Sequence, residues 1–157
     1  GFEVTVPAAV SCALEGPDLG RPIAEWEAMG VARASGRPFP DRERGGEGFL
    51  MMPAGRHGPA FLVTPNFYVL KAYNTSDLYA LFVGHVADRI AYGGGGFAAP
   101  WREVAGVSRP GIAAIQRGLQ ALGHDTGGAD GLPGFRTRRA IGAWQEATGQ
   151  APTCWPE

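Results

Sequence analysis

NFYVLKAYNTSDLYALFVGHVADRI, residues 66–90, is the stretch on which the reading of this chain turns. From Ser76 to Ala91 its apolar residues Leu78, Leu81, Phe82, Val86 and Ile90 recur at helical spacing, and Gly93 is placed to end the helix. Val83, Gly84 and Ala87 leave the opposite side nearly apolar as well. A helix that is apolar on most sides is normally buried inside a larger body. Residues 1–92 are too few to surround it, so the helix itself points to a missing partner.

Upstream, residues 1–67 read as short strands between turns. Glu3-Val4-Thr5-Val6 alternates and stops at Pro7, as a half-buried or edge strand does. Phe49 to Met52 and Ala60 to Thr64 flank PAGRHGP, a connection of hairpin type. Ile23 to Met29 predicts a short helix closed by Gly30, and the polar segment Ala34–Gly48 predicts an exposed loop.

Downstream, Gly93 to Gly96 and the FAAPW that follows read as a flexible linker over 93–107. The glycine run lacks the Gly-Lys-Ser/Thr ending of a phosphate loop, and no strand leads into it. A second unit spans 108–157. Ile112, Ile115, Leu119 and Leu122 mark one face of a helix ending at Gly123. After the turn-rich HDTGGADGLPG, a second helix has Thr137 as its expected N-cap and Ala140, Ile141, Trp144 and Ala147 on its buried face. Two such helices bury little by themselves, so a third short helix or the first unit must cover them.

Composition narrows the function. With 45% hydrophobic and 18% charged residues the chain is globular rather than disordered. A net charge of −1, from 14 basic and 15 acidic residues, gives no electrostatic case for nucleic acid or an anionic membrane as partner. No apolar run is long enough to cross a bilayer. Three histidines without a C-x-x-C give no expected metal site, and Asp125 to Asp130 lacks the spacing and closing glutamate of a calcium loop. No cofactor is expected. Cys12 and Cys154 leave both a disulfide and two free thiols open.

The residues with the clearest chemical promise are Tyr73, Asn74 and Tyr79. Aromatic rings stack on the apolar faces of sugars, and an amide both donates to and accepts from hydroxyl and acetamido groups. The plainer alternative is that Asn74 caps the helix and the tyrosines pack with their polar tips exposed.

Taken with the preceding MMPAGRHGPAFLVTPNF, and with GFEVTVP and PIAEWEAMGV in the family's order, the segment resembles the end of the catalytic domain of lytic murein transglycosylases of the B type. The resemblance covers nearly all of residues 1–92. It implies an α+β fold, part of a lysozyme-like transglycosylase domain with short antiparallel strands and helices. It also implies that Tyr73, Asn74 and Tyr79 lie along a glycan groove. IQRGLQALGHDTGGADGLPGFRTRRAIGAWQEATG is similar to the small helical peptidoglycan-binding domain attached to such enzymes, with only QAPTCWPE left where a third helix usually follows.

Such enzymes, by the same resemblance, use one glutamate as acid and then base, and the sugar's own 6-hydroxyl attacks to leave a 1,6-anhydro end. That glutamate precedes a serine in a Glu-Ser-x-(Phe/Tyr)-Gly motif, and none of the nine glutamates of this chain stands in that context. The expectation is therefore a murein-binding C-terminal portion with no catalytic residue of its own. Its partners would be peptidoglycan glycan strands and the missing N-terminal part of the same enzyme, in the periplasm or cell envelope. Any membrane contact would come only through an upstream lipid anchor. A non-catalytic peptidoglycan-binding protein and an unrelated soluble domain are the alternatives. On the first reading, deleting residues 108–157 of the full-length enzyme should weaken binding to sacculi while sparing hydrolysis of short soluble glycans.

Overall fold

The apolar runs on either side of PAGRHGP build the middle of a sheet. In the computed structural model, which describes residues 1–104 and 106–157, β4 (Glu47–Met51) and β6 (Ala60–Val63) pair antiparallel, with Phe49 opposite Val63 and Met51 opposite Phe61. The connection between them carries a further short strand, β5 (Pro53–Arg56). β1 (Phe2–Thr5) lies along β6 on one side and along β3 (Ala32–Arg33) on the other, so it is half-buried but is not an edge. β2 (Arg21–Pro22) closes the far side of β4, giving the order β2-β4-β6-β1-β3.

Both faces of this sheet are covered. Leu50, Met52, Ala60 and Leu62 meet Ile23, Trp26 and Val31, the inward residues of and just after α1 (Ile23–Ala28). Phe49, Met51, Phe61 and Val63 point the other way, onto Phe67 and Ala80. Burial on both faces is the reason these strands read as unbroken apolar runs. Each large side chain so buried contributes about 1.5–3 kcal/mol. The Trp26 indole stays satisfied by donating to the Gly48 carbonyl at 2.9 Å.

Ala34–Gly48 is not the open loop its polarity suggests. It contains the short helix α2 (Asp41–Arg44), and Phe39 is buried edge-on against Phe2 at 5.3 Å. A second departure is α3 (Pro65–Tyr73), where the sequence reading passed straight from strand to α4. Pro65 at its first turn supplies a preset φ where no N–H bond is needed. Only Phe67 of α3 is buried, so the helix carries no apolar stripe long enough to announce itself.

α4 (Asp77–Tyr92) forms where expected, with the Ser76 hydroxyl accepting from the Tyr79 N–H at 3.3 Å. Its burial is one-sided. Ala80 is buried, but Phe82 and Ile90 are 66% and 81% exposed. Among the described residues nothing covers that face.

The expected linker, 93–107, holds neither helix nor strand in its described residues; Ala105 lies outside them. From Phe97 it is tied down. The Phe97 ring packs on Phe61, Glu3 accepts the N–H groups of Ala98 and Ala99 at 2.8 Å each, and the Arg102 N–H reaches the His57 carbonyl at 2.7 Å.

α5 (Arg109–Ala121) and α6 (Phe135–Ala147) pack through Leu119, Ala140 and Ile141, with Ile115 and Trp144 alongside. Leu122 falls past the end of α5 and is exposed. Thr137 is not the N-cap of α6. Gly134 holds that position, and Thr137 lies buried one turn in, accepting from Gln116 Nε2 at 3.0 Å and donating to the Thr126 carbonyl at 3.2 Å. The turn carboxylates are occupied too. Asp125 accepts from the Gly127 N–H, and Asp130 from the Leu132 N–H and from Gln116.

Among the described residues no third helix covers this pair; the first unit does. Cys12, in the 3-10 turn Cys12–Leu14, is joined by a disulfide to Cys154. Gly142 of α6 passes so close that an added Cβ would stand 2.5 Å from one of its sulfurs. The tail is strapped down by the Gln145 amide, which accepts from the Thr153 and Cys154 N–H groups at 3.0 Å each. It also rests on Gly55, whose φ of 55° and 2.3 Å clearance to the Thr153 carbonyl admit no side chain.

Candidate functional site

α3 and α4 form a helical hairpin whose bend carries the three residues singled out in the sequence. α3 ends at Tyr73 with Asn74 as its C-cap, and α4 begins three residues after Asn74. Asn74 does not cap α4; its Oδ1 accepts the Ser76 N–H at 3.0 Å and shapes the bend, while Ser76 is the cap. This leaves Asn74 half-buried, with its amide NH2 not needed for the turn. Tyr73 is 86% exposed and Tyr79 39%. Their rings lie 6.5 Å apart at 29° and form one stacked surface. The structure therefore brings all three together on open surface rather than sealing them inside.

Around the hairpin lie features that sequence reasoning missed. Lys71 of α3 bonds Asp77 of α4 at 2.5 Å, tying the two helices together beneath the bend. The second Asp77 oxygen is 3.6 Å from the Arg138 guanidinium, which comes from α6. Arg138 also grips Glu15 through two bonds of 3.0 and 2.5 Å, and the Met52 N–H adds a third to that carboxylate. The side chains of Arg138 and Glu15 are 4% and 1% exposed. Burial pushes the Glu15 carboxyl up against the pull of Arg138. For Arg138 burial acts against the charge, but Glu15 and then Asp77 outweigh it and hold the guanidinium above its ordinary value. A guanidinium does not deprotonate at ordinary pH, so Arg138 keeps its charge beside Glu15. Nothing in the local sequence marks these groups, since isolated charges normally denote solvent-facing positions.

Two concave regions flank the hairpin and the second unit. A cavity of about 420 Å³ opens between α4 and the sheet, lined among others by Glu3, Phe61, Leu81, His85, Asp88 and Phe97. A groove of about 530 Å³ runs between α5, α6 and the tail, with Ile115, Leu122, Trp144 and Trp155 among its walls. Neither holds a buried, unpaired glutamate. Glu15, the buried glutamate among the described residues, is spent on Arg138 and Met52. Among the described residues no cluster of three metal-ligating side chains occurs, and no helix is long and apolar enough to cross a membrane.

This hairpin on a curled sheet, joined to two small helices, has counterparts in known proteins. The family model of the transglycosylase SLT domain matches residues 1–88, and that of the peptidoglycan binding domain matches residues 108–153. The chain belongs to the transglycosylase SLT family and carries a domain of the peptidoglycan-binding type. Crystal structures of SltB3 from Pseudomonas aeruginosa are similar to it. One, in complex with NAG-anhNAM-pentapeptide, is 41% identical with a TM-score of 0.82, over 99% of this chain and 41% of that one. Another, with NAG-NAM-pentapeptide, is 39% identical with a TM-score of 0.81, over 99% and 42%. The chain thus spans about four tenths of the length of the solved structures it matches. No curated protein matches it.

Proposed function

We propose that this chain acts as the C-terminal portion of a cell-envelope lytic transglycosylase, supplying one wall of its glycan groove together with a peptidoglycan-holding unit. The division would be 1–92 for the catalytic-domain portion, 93–107 for the connection and 108–157 for the binding domain. One observation supports this above the others: the Tyr73–Tyr79 stack and the Asn74 amide stand together on an exposed hairpin, in a chain of this family.

The chemistry assigns these residues to holding rather than breaking the glycan. The two rings offer a flat apolar face to a pyranose, and the Asn74 NH2 can donate to a hydroxyl or acetamido oxygen. Cleavage of the MurNAc-GlcNAc bond to a 1,6-anhydro end needs a carboxylic acid beside the leaving oxygen. On this reading that acid comes from polypeptide outside the chain, packed against the exposed face of α4. The periplasm is the compartment in which its substrate lies.

The test is titration of the chain with the soluble fragment NAG-anhNAM-pentapeptide, followed by amide NMR. The expected result is shifts centred on residues 73–79, lost in Tyr73→Ala and Asn74→Ala variants whose unfolding midpoints stay close to that of the parent. Loss of stability in step with loss of binding would instead make these residues structural. A second reading, a peptidoglycan-binding protein that never takes part in catalysis, is favoured if full-length protein holds sacculi but releases no 1,6-anhydro products.

A further inference from the structure

We infer that Arg138, which belongs to the peptidoglycan-binding unit, is a positioning residue for the glycan-facing hairpin of the first unit, holding Asp77 and through it the Tyr73–Tyr79 stack. The inference rests on the preceding reading of Tyr73, Asn74 and Tyr79. Asp77 is the first residue of α4 and the only side chain of the bend that reaches inward to two cations. One of its oxygens is fixed by Lys71, two residues before Tyr73; the other faces Arg138, and Tyr79 follows two residues later. Both rings thus hang from the ends of a single anchored carboxylate.

Arg138 is itself immobile. Its Nε and one terminal nitrogen are held by Glu15, and the other terminal nitrogen donates to the Pro133 carbonyl at 2.6 Å. Glu15 in turn is locked to the sheet through the Met52 N–H at 2.9 Å. The side chains of Arg138 and Glu15 are 4% and 1% exposed, so solvent screens this pair little. A rigid cation with two ligands taken and one face left toward Asp77 sets where α4 starts. The second unit then does more than tether: it fixes the geometry of the glycan wall.

Two changes to the whole chain test this. Asp77→Asn removes the anchor while leaving the Glu15–Arg138 pair intact. The paired replacement Glu15→Gln with Arg138→Met removes both buried charges together, a change that generally preserves stability. Each is expected to weaken binding of NAG-anhNAM-pentapeptide by about three- to tenfold, measured under conditions where both variants are folded. Arg138→Lys, which keeps a cation beside Asp77, should recover part of the affinity. Parental affinity in both Asp77→Asn and the paired variant overturns the inference. Should the parent itself bind no fragment, the glycan reading fails, and amide exchange at residues 77–80 decides this inference alone. Faster exchange in both variants supports it; unchanged exchange rejects it.

Discussion

The seam between α6 and the 3-10 turn and the outer face of α4 invert what their residues ordinarily do. The seam buries a glutamate, an arginine and a disulfide. The face of α4 leaves Leu78, Phe82 and Ile90 in the open. The physical lesson is that burial follows what a residue can be paired with, not its hydropathy. Arg138 is buried because Glu15, the Pro133 carbonyl and Asp77 meet its donors. Phe82 is exposed because none of the described residues covers it.

The sharpest way to break this contrast is to remove one member of the buried pair. Arg138→Ala leaves the Glu15 carboxylate sealed without a counter-ion, and the expected loss is about 3–5 kcal/mol in urea unfolding. A loss below 1 kcal/mol would mean that water reaches the site. For the same reason, deleting residues 108–157 does not leave an independent first unit. It strips Arg138 from Glu15 and unpairs Cys12, so the remaining residues should fail to fold cooperatively by circular dichroism.

Opening the disulfide should have the next largest effect. It closes a loop with a sequence separation of 142, and Cys12→Ser with Cys154→Ser should lower stability by about 2–4 kcal/mol. The parent with and without reductant should show the same difference in thermal unfolding.

The opposite region should hardly respond. Phe82→Ser and Ile90→Ser are expected to change the stability of this chain by less than about 0.5 kcal/mol. In a longer protein whose upstream polypeptide covers α4, the same changes should cost about 2–4 kcal/mol. Equal effects in both settings would remove the case for a covering partner.

The smallest effect concerns pH. The Arg139 guanidinium bonded to Asp18 holds that carboxyl below its ordinary value. The Leu132 N–H and then Gln116 do the same for Asp130. A depressed carboxyl stabilises the fold above its unfolded pKa, and that contribution fades as pH falls through the folded value. Stability should therefore slope downward below about pH 4, less steeply in Asp18→Asn. A flat profile in the parent would show these bonds to be absent in solution.

Several elements were legible before any coordinates. The period of Leu78, Leu81, Phe82 and Val86 gave α4, and the apolar runs at 49–52 and 60–64 gave β4 and β6. The Tyr73, Asn74 and Tyr79 set stood out as chemistry and through the family resemblance, and its role in holding glycan is the proposal made above. α3 was not visible, because a helix burying only Phe67 leaves no stripe. Neither was Phe39 in its core, since a lone aromatic in a polar segment carries no period.

The sequence by itself determined the local periods, the turns and the family, because those depend on residues near one another along the chain. Tertiary structure alone decided that Cys12 meets Cys154 and that Glu15 meets Arg138. It alone decided that the second unit reaches the hairpin through Asp77. These contacts join residues more than a hundred positions apart, or elements of different units, and a charge or thiol carries no local signal of its partner. Only the folded path of the chain brings the partner within the few ångströms over which the bond exists.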